Sequence, residues 1–71
     1  MILSARNQLK GVVKLIKKGA VNNSVVLELP GGTRITSVIT QDACKALKLK
    51  KGKTAYAVIK ASSVIVGVDE V

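Results

Sequence analysis

The sequence predicts a small all-β fold that contains one short helix. Short runs in which apolar and polar residues alternate occupy most of the chain, as expected for strands with one buried face. Clusters of Gly, Pro and Asn separate these runs. Only residues 40–48 combine a helix-capping residue with apolar residues at helical spacing. A chain of 71 residues is too short for two hydrophobic cores, so residues 1–71 are predicted to form one domain.

The first strand is predicted over residues 9–18. Strict alternation assigns Leu9, Gly11, Val13 and Leu15 to one face of this strand. Because Gly11 supplies no side chain in the middle of the strand, it indicates a bulge or the close approach of another backbone.

The next two strands form the clearest hairpin of the sequence. They are predicted over residues 24–29 and 33–40, and both alternate apolar with polar side chains. Residues 30–32, Pro-Gly-Gly, supply strong turn chemistry between them. Residues 17–20, Lys-Lys-Gly-Ala, predict the turn that precedes the hairpin.

A short helix and two further strands complete the predicted elements. Thr40 is a favourable helix N-cap, and Asp42 suits the positive end of the helix dipole. Gly52 ends the following loop, and strands are predicted over residues 54–59 and 64–68. The lysines that surround the helix exit are interpreted as a solvated face: Lys45, Lys48, Lys50, Lys51 and Lys53.

Five short strands with one helix before the fourth predict a five-stranded β-barrel of the OB type. The last strand, residues 64–68, is apolar on both faces and is interrupted only by Gly67. A strand on a lone small barrel alternates with polar residues, so this strand is expected to be covered by another copy of the chain. Size favours an oligomer too, because below roughly 70–80 residues one core rarely supplies more than about 3–5 kcal/mol. Cys44 is the only cysteine, so no disulfide within the chain can add to the stability that this small core supplies.

Composition excludes several functions. The chain has no His, and its single thiol has no His partner, so it is predicted not to be an enzyme. The lack of His and of a Cys cluster also argues against a metal held by protein ligands.

Twelve Lys and Arg against four Asp and Glu give a net charge of +8, which predicts an anionic partner. Without a signal peptide or an apolar run of ~20 residues, the predicted location is the cytoplasm, with no membrane partner.

Two short polar segments near the ends of the chain supply hydrogen-bond donors. Residues 4–11, Ser-Ala-Arg-Asn-Gln-Leu-Lys-Gly, place a hydroxyl, a guanidinium and an amide close together. Residues 60–63, Lys-Ala-Ser-Ser, add an ammonium group and two hydroxyls before the last strand. Such side chains, with adjacent backbone N–H groups, are the donors that a tetrahedral oxyanion requires. By composition alone, a solvated N-terminal arm and an ordinary turn are the simpler interpretations.

Taken together, the two donor segments resemble the molbindins, the small Mop-type molybdate-binding domains. Further stretches fall where that family places similar residues: residues 17–22, 31–32, 36–40 and 49–53. Lys48 is a departure, because the family has Gly at this position at the end of the helix. The resemblance covers nearly the whole chain and implies the same OB-like barrel, of Mop/TOBE type.

The resemblance implies an intracellular protein that binds molybdate, and tungstate as well, for storage or homeostasis. The oxyanion-binding residues that it implies are Ser4, Arg6, Lys60, Ala61 and Ser62. These residues supply only donors and positive charge, so an unprotonated dianion is favoured over phosphate, which often carries a proton. No covalent cofactor is implied, and molybdenum is held only as its oxyanion.

The resemblance also implies a homo-oligomer, a hexamer, whose sites form where subunits meet. Whether the two donor segments then belong to one chain or to two is left open. A second class of oxyanion site near the hexamer axis is implied at the turn formed by Lys18, Gly19, Ala20 and Val21. A basic hairpin turn without a ligand is nearly as good an interpretation of these four residues.

The main alternative function is an OB-like nucleic-acid-binding module, because the chain is strongly basic. OB domains that bind single strands stack bases on aromatic side chains, and Tyr56 is the only aromatic residue here. This argues against a nucleic-acid partner. A third possibility is an accessory domain of a transporter ATPase or a regulator, to which Mop-like modules are also fused. The run from Met1 to a short acidic tail favours a free-standing protein.

Overall fold

The computed structural model describes residues 1–70 as one antiparallel sheet with one helix. The elements, in chain order, are β1 (Asn7–Lys18), β2 (Asn22–Glu28), β3 (Arg34–Thr40), α1 (Gln41–Ala46), β4 (Thr54–Ile59) and a 3-10 turn (Ala61–Ser63). The strands are ordered β3-β2-β1-β4 in the sheet, so β3 and β4 lie at its two edges. The all-β class with one short helix is therefore confirmed.

The predicted hairpin forms between β2 and β3. The two strands pair from Asn22 opposite Thr40 to Glu28 opposite Arg34. Backbone hydrogen bonds in the connecting turn link Leu29 to Thr33, with N–H to oxygen 2.7 Å, and Gly32 to Leu29, at 3.0 Å. The turn chemistry of the Pro-Gly-Gly stretch thus fixes the register of the hairpin.

The first strand changes face in its middle, which sequence alternation alone did not predict. A bulge separates Val13, paired with Leu27, from Leu15, paired with Val26. Val13 is buried, whereas Leu15 is exposed and Ile16 packs against the core instead. The assignment of Leu15 to the same face as Val13 was therefore wrong, because one extra residue in a strand reverses the side-chain alternation beyond it.

Gly11 lies where β1 approaches the end of β2. A Cβ atom at this position would stand 2.8 Å from the backbone oxygen of Glu28 and 3.0 Å from Cδ2 of Leu29. The predicted close approach of another backbone is thus confirmed. The bulge itself lies farther along, between Val13 and Leu15.

The helix begins as predicted at Thr40. The Thr40 hydroxyl oxygen accepts a hydrogen bond from the backbone N–H of Ala43 at 3.0 Å. At the other end, the Lys53 ammonium donates to the backbone oxygens of Leu47, at 2.6 Å, and of Lys48, at 3.3 Å. A cation on the last carbonyls complements the helix dipole, so Lys53 stabilises the end of α1. Among residues 1–70, no helix is long and apolar enough to cross a membrane.

Lys48 adopts a left-handed backbone conformation immediately after the helix, with φ of 53°. This is the position at which a helix usually ends in Gly, because a side chain makes this conformation unfavourable. With Lys48 in place of the family's Gly, the chain still makes the left-handed turn, but the residue that makes it is strained.

We expect Lys48→Gly to raise the free energy of unfolding by about 1 kcal/mol, because it removes that strain. The melting temperature should then rise by roughly 4–8 °C for a domain of this size. Lys51→Gly is the matched control: Lys51 lies in the same loop but is not among the residues with positive φ, so its replacement should slightly destabilise. A melting temperature that is lower for Lys48→Gly than for the wild type would contradict the strain.

The predicted fifth strand does not form within the single chain. Residues 64–70, called the C-terminal segment below, are neither helix nor strand. Ile65, Val66 and Val68 are 95%, 85% and 91% exposed. The prediction of a closed five-stranded barrel is therefore not met by one chain: a strand requires a hydrogen-bonded neighbour, and this segment does not pair with either sheet edge.

The buried core is small and leaves one face of the sheet open. Among residues 1–70, the buried apolar residues are Val13, Val25, Leu27 and Cys44. A cavity of about 600 Å³ opens beside them, and most of its lining area is apolar. The lining includes Val25, Leu27, Ile39, Ala55, Ala57 and Ile59. The sheet is therefore a half-barrel whose interior is only partly filled by its own chain.

Candidate functional site

The two donor segments meet at the end of the β1–β4 ladder. Asn7 at the start of β1 pairs with Ile59 at the end of β4. The chain before Asn7 and the chain after Ile59 therefore leave the sheet side by side. Between them lies an open cavity of about 500 Å³, lined by Ser4, Ala5, Arg6, Val58, Lys60, Ala61 and Ser62.

This cavity offers donors and positive charge. Arg6 and Lys60 are cations, and Ser4 and Ser62 carry hydroxyl groups. Within the described part of the chain, none of the lining residues bears a carboxylate. An anion at this place would meet no like charge from the wall, which favours binding of an oxyanion.

The 3-10 turn leaves backbone N–H groups available beside the cavity. Its two internal hydrogen bonds run from the N–H of Ser63 to the oxygen of Lys60, at 2.8 Å, and from Val64 to Ala61, at 3.2 Å. Within residues 1–70, the N–H groups of Ala61 and Ser62 have no hydrogen-bonded partner. Free backbone donors next to two cations suit the oxygen atoms of a tetrahedral anion.

All five residues predicted for the main site line this one cavity, and they come from the same chain. Two further lining residues, Ala5 and Val58, were not predicted. Val58 could have been found from the strand pattern, since it precedes Lys60 by two residues and such residues share a face of a strand. It contributes an apolar patch to an otherwise polar wall.

The residues predicted for a second site form the turn between β1 and β2. Lys18 ends β1, and the Gly19 N–H donates to the oxygen of Asn22 at 2.9 Å. The side-chain amide of Gln41 donates to the Gly19 oxygen, and the Gln41 N–H donates to the Val21 oxygen at 2.9 Å. Helix α1 therefore anchors this turn.

Lys18 lines a separate cavity of about 310 Å³ beneath the helix, and the other three predicted residues do not. Asn23 is 3% exposed, lines this cavity too, and its Oδ1 atom has no hydrogen-bond partner in the described chain. The N–H groups of Ala20 and Val21 donate no hydrogen bond within residues 1–70. The turn thus offers free donors but no cavity shared by its four residues.

Comparison with known proteins decides the family. A family model described as "TOBE domain" matches residues 3–66. The chain belongs to the TOBE domain family. This TOBE domain is 51% identical over 69 residues to a Haemophilus influenzae protein named "Probable molybdenum-pterin-binding protein", covering 97% of this chain and 100% of that one. It is 48% identical over 66 residues to molybdenum-pterin-binding protein 3 of Clostridium pasteurianum, covering 93% and 97%.

A longer relative matches this chain over part of its length. The molybdenum transport protein ModE of Herbaspirillum seropedicae is 52% identical over 68 residues, which is 96% of this chain. The match covers 25% of that relative, so this chain spans about a quarter of its length.

Solved structures have the same fold. MopII from Clostridium pasteurianum superposes with a TM-score of 0.89 at 46% identity, over 94% of this chain and 100% of that one. A molybdate-binding protein from Sporomusa ovata gives 0.89 at 35% identity, over 96% and 100%. The cytoplasmic molybdate-binding protein ModG, solved with molybdate bound, gives 0.93 at 58% identity, over 97% of this chain and 49% of that one. The predicted resemblance to the molbindins is therefore confirmed.

Proposed function

We propose that this TOBE domain binds molybdate, and tungstate as well, in the cavity between its two donor segments. The observation that carries the proposal is the shared lining of that cavity by Ser4, Arg6, Lys60 and Ser62, with no carboxylate among its described lining residues. The molybdate named in the descriptions of related structures supports this choice of anion. Binding is reversible, and the anion undergoes no chemical step.

Both walls of the cavity contribute hydrogen-bond donors and positive charge. Ser4 and Ser62 donate hydroxyl hydrogen bonds to the anion, and the N–H groups of Ala61 and Ser62 add backbone donors. Arg6 and Lys60 supply charge that offsets the two negative charges of molybdate. With two cations and no carboxylate in its wall, the cavity favours a fully ionised oxyanion over a protonated phosphate, whose proton is best accepted by a carboxylate.

An oligomer is part of the proposal, because two apolar surfaces of the single chain are left uncovered. One is the open interior of the half-barrel, and the other is the exposed C-terminal segment. We propose that the segment of one copy covers apolar residues of another, in the hexamer that the molbindin resemblance implies. Burial of apolar surface then overcomes the repulsion between chains that each carry +8.

The remaining expectations belong to the same proposal. The turn formed by Lys18, Gly19, Ala20 and Val21 is a second oxyanion site completed by neighbouring copies, as the molbindin resemblance implies, and the N–H groups of Ala20 and Val21 are its free donors. Residues 1–71 are one molybdate-binding domain without catalytic activity. The protein acts in the cytoplasm in storage or homeostasis, and the cytoplasmic ModG supports that location.

We expect Ser4→Ala and Ser62→Ala each to weaken molybdate binding, measured by isothermal titration calorimetry. A lost hydrogen bond to a charged partner costs roughly 1.5–3 kcal/mol, which is about tenfold or more in Kd. Ser63→Ala is the matched control, since Ser63 belongs to the same 3-10 turn but does not line the cavity.

Three results would count against the proposal. Unchanged molybdate affinity in both variants would show that the two serine hydroxyls do not bind the anion. If the wild type bound molybdate and sulfate with equal affinity, general charge attraction would explain the binding and the site would not be specific. Tight binding of single-stranded nucleic acid at near-physiological salt would favour the alternative function, because binding by phosphate contacts alone weakens steeply with salt.

A further inference from the structure

Asn7 links β1 to β4 at the point where the two sides of the cavity leave the sheet. It follows Arg6 and is the first paired residue of β1, opposite Ile59 on β4. Its side-chain amide Nδ2 donates to the backbone oxygen of Ile59 at 3.3 Å, in a partly buried position. This bond reinforces the last rung of the ladder, beyond which the chains separate to form the two walls of the cavity.

Gln8 holds the N-terminal wall in a similar way. Its side-chain amide Nε2 donates to the backbone oxygen of Ala5 at 3.0 Å. Ala5 lies between Ser4 and Arg6 and lines the cavity itself. The bond lies at the surface and closes the chain into a bend, which restricts the movement of the residues that carry the hydroxyl and the guanidinium.

These bonds also occupy backbone oxygens that would repel an anion. The oxygen of Ala5 accepts from Gln8, and that of Ile59 accepts from Asn7. The oxygens of Lys60 and Ala61 accept from backbone N–H groups of the 3-10 turn. A carbonyl oxygen that already accepts a hydrogen bond exposes less negative charge to a neighbouring ligand.

We propose that Asn7 and Gln8 are positioning residues of the oxyanion site. They do not touch the anion; they hold its two walls at the separation and orientation that the anion requires. This inference rests on the proposed function, since it concerns the same cavity. Walls that are held in place before binding lose less conformational freedom when the anion arrives, and this raises affinity.

The test compares Asn7→Ala with Thr40→Ala in the full chain. Both variants remove a side-chain hydrogen bond to the backbone, but Thr40 caps the distant helix α1 and does not line the cavity. We expect Asn7→Ala to raise the molybdate Kd about tenfold, equivalent to ~1.4 kcal/mol. Thr40→Ala should lower the melting temperature and leave Kd unchanged.

A double-mutant cycle separates positioning from a general loss of stability. If Asn7 holds the wall that carries Ser62, the effects of Asn7→Ala and Ser62→Ala on Kd must be less than additive. Thr40→Ala combined with Ser62→Ala should give simple additivity. Gln8→Ala combined with Ser4→Ala provides the same cycle on the N-terminal wall, and it serves as the test if Asn7→Ala does not fold.

The outcomes distinguish this inference from the proposed function. If Ser62→Ala weakens binding while Asn7→Ala and Gln8→Ala only lower the melting temperature, the site stands and the positioning role is wrong. Full additivity in both cycles would also overturn it. If the wild type does not bind molybdate at all, the proposed function fails and this inference fails with it.

Discussion

Gly11→Ala is expected to remove a large part of the folding free energy. The added Cβ atom would lie 2.8 Å from the backbone oxygen of Glu28, and a backbone atom cannot rotate away as a flexible side chain can. Gly11 is buried, and it pairs with Ala55 on β4 next to the core. Strands β1 and β2 must therefore move apart at this point, and overpacking of this kind costs roughly 1–3 kcal/mol.

That cost is large for this domain, because a single small core supplies only about 3–5 kcal/mol. Urea unfolding followed by circular dichroism, at matched protein concentration, measures the loss. Lys10→Ala is the control, since Lys10 is the exposed neighbour on the same strand and its replacement should change stability by less than about 0.5 kcal/mol. Equal stability of Gly11→Ala and the wild type would show that the two backbones are not in close contact.

Val66→Asp is expected to dissociate the proposed oligomer. Val66 is 85% exposed in the single chain, so a carboxylate there should not disturb the fold of one subunit. If the C-terminal segment is covered by another copy, the carboxylate is buried without a partner, at a cost of several kcal/mol at each contact. Native mass spectrometry should then detect a smaller number of subunits than in the wild type.

Thr33→Asp is the matched control, because it changes the charge equally at an exposed turn position. It should leave the subunit count unchanged. Adding molybdate to each sample reports in the same spectra whether anions accompany the assembled form. A Val66→Asp protein that assembles like the wild type would show that Val66 lies outside the subunit contacts.

Local features of the sequence predicted most of the secondary structure. The β4 strand has the predicted bounds, 54–59, and the hairpin turn and the Thr40 cap form as expected. Each of these depends on neighbouring residues: alternation along one strand, Gly and Pro in one turn, or a hydroxyl three residues before the N–H it caps. The donor chemistry of the site was also visible, because residue types alone specify it.

Other features depend on contacts between distant parts of the chain. The bulge in β1 reverses the faces of Leu15 and Ile16, and its position follows from pairing with β2. The absence of a fifth strand among the described residues depends on which edges a segment can reach. The sequence places apolar residues at 64–68, but a strand also needs a neighbour to accept its hydrogen bonds.

By itself, the sequence determined the class of the fold, the hairpin, the helix cap and a set of anion-compatible donors, since these follow from local preferences and residue chemistry. Only the tertiary structure decided that both donor segments line one cavity of one chain, and that Asn7 donates to Ile59 at the end of the ladder beside it. The physical reason is the antiparallel pairing of β1 with β4, which brings together the start of one strand and the end of the other. That contact joins residues 52 positions apart, and no local pattern records it.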